Sequence, residues 1–156
     1  MKSFSQYLVL SAALLVLSDV EAITLSVSGG TWTQVVSGVG LQAGDNLTSV
    51  YESGTAQASL TVDQTTNNWT IYVRHNNSDW HSGVSLEVRR TSDGTGSGGL
   101  PSGGDTYQDI LTSDTSFFSG SGNRAGINLQ FRLRGISVDQ GIKDYSTDIT
   151  YTVEEN

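Results

Sequence analysis

Few side chains in this sequence can do chemistry, and their spacing narrows what that chemistry is. The only histidines are His75 and His81, which flank the polar turn Asn76-Asn77-Ser78-Asp79. With Asp79 they offer three ligands, but transition-metal sites need three or four donors that converge on one point. Two histidines on a polar turn are expected to face water, so no metal and no cofactor is assigned. Trp80 lies in the same turn, and Tyr72 falls on the polar side of the run that precedes it. Aromatic faces stack on sugars. Tyr72, Trp80, His75 and His81 are therefore the candidate ligand-binding residues, with a Trp80–Tyr72 platform at their centre. Trp69 falls on the apolar side of the same run and belongs to the core.

Other constellations lead less far. Asp93, Asp105, Asp109 and Asp114 gather around the glycine-rich stretch SDGTGSGGLPSGG, residues 92–104. Carboxylates on one loop system can hold calcium through oxygen, yet no EF-hand spacing or calcium-binding repeat is present, and a solvated acidic loop is expected. The stretch lacks the Gly-Lys-Ser/Thr ending of a phosphate loop and does not lead into a helix. Leu100-Pro101-Ser102-Gly103-Gly104 lacks the Thr of a sortase signal, and no apolar segment or basic tail follows it. No Ser sits in a Gly-x-Ser-x-Gly elbow, and no pair of carboxylates is marked out for glycoside hydrolysis. No catalytic residue is assigned, and the chain is expected not to be an enzyme.

The elements that must position these residues are strands. Six runs alternate strictly between apolar and polar, the mark of a strand with one buried face. They begin with Ile23, Leu25 and Val27, then Ala58, Leu60 and Val62, then Trp69, Ile71 and Val73. Val84, Leu86 and Val88 follow, then Ile127, Leu129, Phe131 and Leu133, and last Ile149, Tyr151 and Val153. Leu129 and Phe131 should be core residues of a central strand, and Arg132, on its other face, should matter far less. Weaker candidates are residues 31–36, 46–52 and 107–111 and the run around Phe117 and Phe118. Between them lie Gly, Asn, Asp and Ser clusters that suit turns. One buried face per strand implies two packed sheets, so the expected fold is a single all-β, Ig-like antiparallel sandwich, with a closed barrel as the alternative. Residues 92–104 read as a flexible loop within it.

The N-terminus has the three parts of a secretory signal. Lys2 is its charged start, Tyr7 to Leu17 its apolar run, and Val20 and Ala22 the small residues before a cut. The apolar run is shorter than the roughly 20 residues that cross a bilayer. Cleavage after Ala22 leaves a 134-residue domain, 23–156, without cysteine, large enough to fold without disulfides. Eight basic and sixteen acidic residues lose Lys2, Asp19 and Glu21 with the signal, leaving a net charge of −7. That charge repels nucleic acid and anionic lipid, and no second apolar segment is long enough to insert. A membrane barrel is not expected either, because the last strand closes on Glu154-Glu155-Asn156 rather than on an aromatic residue.

The C-terminal stretch Gly135-Ile136-Ser137-Val138, Gly141, then Asp144-Tyr145-Ser146-Thr147-Asp148-Ile149-Thr150-Tyr151-Thr152-Val153 resembles the close of bacterial surface sandwiches of the spore coat protein U-like and pilin-like type. It covers about twenty residues, and the paired cysteines common in the coat protein family are absent here. The resemblance implies an Ig-like sandwich on a cell surface or in an extracellular assembly, and it carries over no catalytic residue. The functional expectation is an exported structural protein, secreted, periplasmic or at the cell surface, whose partners are further copies or other surface proteins. The alternative is a small carbohydrate-binding module with glycans as partners.

Overall fold

A computed structural model describes residues 22–76, 80–140 and 144–156. The expected signal segment ahead of Ala22, together with Asp79 and Gly141, lies outside the described residues. Ten strands are found among the described residues: β1 Thr24–Gly29, β2 Val50–Glu52, β3 Ala58–Asp63, β4 Asn68–His75, β5 Ser85–Arg90, β6 Thr95–Gly96, β7 Gln108–Asp109, β8 Thr115–Ser121, β9 Arg124–Arg134 and β10 Ile149–Glu155. The helical element described is a single 3-10 turn, Val138–Gln140.

The strands form two antiparallel sheets. The larger runs β1-β3-β9-β5-β7, with β2 and β6 also on β9; the smaller runs β10-β4-β8. Neither closes on itself, which corrects the closed-barrel alternative. A barrel needs its first and last strands to pair, and here each sheet keeps two separate edges.

β9 organises the larger sheet because it is long enough to serve two neighbours on each side. One edge takes β2 at residues 132–134 and β3 at 124–129; the other takes β5 at 129–134 and β6 at 124–125. Ile127, Leu129 and Phe131 point from it into the core, with Leu129 wholly buried and Phe131 2% exposed. They meet Leu60 and Val62 of β3, Val88 of β5, and Trp69, Ile71 and Val73 of β4 in one apolar cluster between the layers. Burying each such side chain contributes about 1.5–3 kcal/mol.

Two bulges break the simple alternation. On β8 one extra residue shifts the register against β4 between Ile71 and Tyr72, so Phe117 and Phe118, though adjacent, are both buried. On β9 the register against β3 slips between Leu60 and Val62, where Gly126 takes a positive φ of 74°. A bulge re-aims the side chains beyond it, and this one turns Arg124 inward.

All six strictly alternating runs are strands, as expected. Residues 31–36 are not. Trp32 and Gln34 are half-buried and their neighbours exposed, but a strand also needs a ladder partner, and β1 already holds the adjacent edge of β3. Of 46–52 and 107–111, only β2 and β7 pair.

Candidate functional site

His75 ends β4, opposite Ile149 of β10, and the chain returns at Trp80 to pack beside it. The His75 and Trp80 rings lie 6.1 Å apart, and Trp80 lies 6.1 Å from Tyr145 on its other side. The Trp80 indole N–H donates to the Ser146 carbonyl at 3.4 Å. Below them Asn76 and Asp148 bind each other three times: the Asn76 amide donates to the Asp148 carboxylate at 3.0 Å, the Asp148 N–H to Asn76 Oδ1 at 3.0 Å, and the Asn76 N–H to the Asp148 carbonyl at 3.2 Å. The Thr147 hydroxyl stands 3.4 Å from His75 Nδ1. Partial burial disfavours the imidazolium, so the His75 pKa lies below its ordinary value. The result is a half-buried aromatic group edged by amide, hydroxyl and carboxylate, able to stack on and hydrogen-bond a neutral polyhydroxylated ligand.

The other two expected site residues do not join it. Tyr72 alternates with Ile71 and Val73, which are buried, so it stands on the outer face of the smaller sheet beside Thr152. Trp80 packs against the core side at the strand's end. The expected Trp80–Tyr72 platform is thereby corrected: Tyr72 faces outward from β4, while Trp80, past the strand's end, packs on the core side. His81 is exposed and caps its own turn, its Nδ1 accepting the Gly83 N–H at 3.1 Å. Among the described residues no three His, Asp or Glu side chains gather as a metal site. The acidic residues around the loop disperse, Asp93 to Arg90 and Asp114 to Arg74.

Sequence reasoning missed two polar constructions. The first surrounds the glycine-rich stretch. Arg124, 4% exposed, donates through its two terminal nitrogens to four backbone carbonyls: Asp93 at 3.1 Å, Gly94 at 3.3 Å, Gly98 at 2.8 Å and Gly99 at 3.0 Å. Arg90 holds the rest of the stretch by the carbonyls of Ser92, Pro101 and Gly103 and by the Asp93 carboxylate. Residues 92–104, expected to be flexible on composition, are instead wrapped around two guanidinium groups. The glycines serve close approach. A Cβ on Gly98 would fall 1.6 Å from the Ser121 carbonyl oxygen, and one on Gly96 1.9 Å from that of Asn123.

The second construction covers the outer face of the larger sheet. Register sets Glu87 opposite Arg132 and Arg89 opposite Gln130. Glu87, 4% exposed, accepts from Arg132 and lies 3.3 Å from Arg134; Arg89 donates twice to Gln130 Oε1 at 3.0 and 2.7 Å. The Tyr107 ring lies under both Arg132, at 3.8 Å, and Arg89, at 4.8 Å. Burial, then the nearby Glu52 carboxylate, raises the Tyr107 pKa; the hydrogen bond to Glu87 raises that of Arg132. Each carboxylate here faces a guanidinium, which fixes it as a structural counter-ion. The signal in the sequence was the alternation Gln130, Arg132, Arg134 against Glu87 and Arg89, legible once the two strands are known to pair.

Comparison with protein-family models, with curated proteins and with solved structures finds no match to this chain.

Proposed function

We propose that this chain is an exported, non-enzymatic structural protein: an Ig-like sandwich that serves as a subunit of an extracellular or cell-surface assembly. The observation that carries the reading is where its cations go. Arg89, Arg90, Arg124, Arg132 and Arg134, five of the eight Lys and Arg residues, are spent on internal carbonyls, amides and carboxylates that lock a loop and a sheet face. Such cross-ties suit a domain that must persist outside the cell without disulfides. Export is supported by the N-terminal pattern and by β1 starting at Thr24, so that a cut after Ala22 leaves every described strand whole. The likeness to spore coat protein U-like and pilin-like sandwiches supports the surface role, its Thr-rich close being the edge strand β10. Cell fractionation with intact-mass measurement tests this: the expected species begins at Ile23 and lies outside the cytoplasm, whereas a cytoplasmic species retaining the apolar run overturns it.

One observation favours a second reading, a carbohydrate-binding module. The His75–Trp80–Tyr145 rings beside Asn76 and Asp148 have the composition of a sugar subsite. A glycan array tests it. Binding lost in Trp80→Ala and kept in Tyr72→Ala supports the module, and an array blank for the parent protein removes it.

A further inference from the structure

Along their main strand orders the two sheets end, among the described residues, in four strands, and three of these are guarded. β7 is two residues long. The outer side of β8 is covered by Ser102, which exchanges two backbone hydrogen bonds with Ser119 at 2.8 and 3.0 Å. β10 ends in Glu154 and Glu155. Short strands, covering loops and charges are the ordinary devices that stop a sheet edge from pairing with another chain. Among the described residues β1 has none of them. It is six residues, TLSVSG, without charge or proline, paired on one side with β3 along its whole length and terminal in the larger sheet.

The stretch of chain that carries it is neutral as well, with Asp63 of β3 standing opposite Thr24 across the ladder. From Ala22 to Gly44 there is no Asp, Glu, Lys, Arg or His, in a chain whose net charge is −8. The same region is apolar at its surface: five of the nine large apolar side chains exposed among the described residues lie between 27 and 41, with Val27 50% and Val39 94% exposed. Two copies of an acidic protein repel one another over most of their surfaces. The segment that brings no carboxylate of its own to such a contact is the one that also carries an unguarded strand edge.

We propose that the free edge of β1 is a self-association surface, on which β1 of a second copy adds antiparallel and joins two larger sheets into one. Two identical strands paired antiparallel are self-complementary about a two-fold axis, so the contact closes as a dimer. Main-chain hydrogen bonds hold the added strand, and Val27, 50% exposed on β1 itself, adds apolar area at the seam. This gives the self-association of the preceding reading a definite surface. Because it is measured in solution, it fails separately from the export reading.

The test is light scattering after size exclusion on protein expressed from the full coding sequence, over a wide concentration range. Ser26→Lys and Val27→Lys are compared with Thr152→Lys on the β10 edge, all three positions being exposed, and thermal melts check that each variant folds. The parent protein and Thr152→Lys are expected to double in mass as concentration rises, while both β1 variants stay monomeric with unchanged melting. Backbone amides on the free side of β1 should exchange more slowly in concentrated parent protein and not in the variants. A parent protein monomeric throughout overturns the proposal. So does a dimer that survives both β1 substitutions, the result expected if β1 instead swapped between copies and kept its pairing with β3.

Discussion

Replacing Arg124 with Ala removes the guanidinium around which the glycine-rich stretch is wound. Of the four carbonyls it serves, those of Asp93, Gly94 and Gly98 belong to half-buried residues, while Gly99 is exposed and can turn to water. A lost hydrogen bond with a half-buried acceptor costs on the order of 1 kcal/mol, which gives about 3 kcal/mol for three. That is a large part of the roughly 5–15 kcal/mol that holds a domain folded, and for a chain of this size it lowers Tm by about 10 °C. Arg124→Lys should fall between the two, because one ammonium cannot reach four carbonyls spread over seven residues. Thermal melts followed by circular dichroism give the global effect. Hydrogen exchange at Ser97 and Gly99, whose amides bind Asn123 O and Ser121 Oγ, gives the local one. If Arg124→Ala melted within 2 °C of the parent with Ser97 equally protected, the arginine would not be what holds the loop.

Further outcomes follow from other contacts of the fold. Phe131→Ala should cost about 3–5 kcal/mol in a denaturant titration, and Arg132→Ala about 1–3 kcal/mol, because it strips a buried Glu87 of its nearer partner; near-zero loss for Arg132→Ala would show Glu87 satisfied by Arg134 alone. Gly98→Ala should cost as much as a core truncation, since its methyl would overlap the Ser121 carbonyl, and an unchanged Tm would mean the loop does not lie where described. Stability should fall as pH rises past about 10. Burial raises the pKa of both Tyr107 and Tyr151, so the folded chain keeps phenol protons that the unfolded chain releases, and unfolding becomes easier with each increment of pH. Urea titrations at pH 8, 10 and 11 check this, with Tyr151→Phe flattening the dependence; a flat profile in the parent would refute it. In the opposite direction His75, its pKa lowered by burial, should titrate below 6.5 by NMR, and its contribution to stability should fade as pH drops below that value.

The division between what sequence and tertiary structure decide is visible in β9. That residues 127–133 form a strand, and that Leu129 and Phe131 face inward, is written in a period of two that each residue obeys locally. The same holds for the core faces of β3, β4, β5 and β10. Periodicity is blind to which strands meet, because it is a property of one segment and pairing is a property of two. Arg132 read as an outer residue mattering far less than Phe131 until β5 was set beside it, with Glu87, 45 positions away in the chain, opposite. The bulge at Gly126 reversed the facing of Arg124 by inserting one residue, and so turned a glycine-rich stretch that composition reads as slack into a wrapped one. Trp80 and Tyr72 read as one exposed platform, yet Trp80 folds back onto the core edge beside Tyr145, far along the chain, while Tyr72 stays on the outer face. In each case the deciding contact joins residues far apart in sequence. Its energy exists only once two layers have closed on a common core, so the local pattern specifies the faces and the tertiary structure specifies the partners.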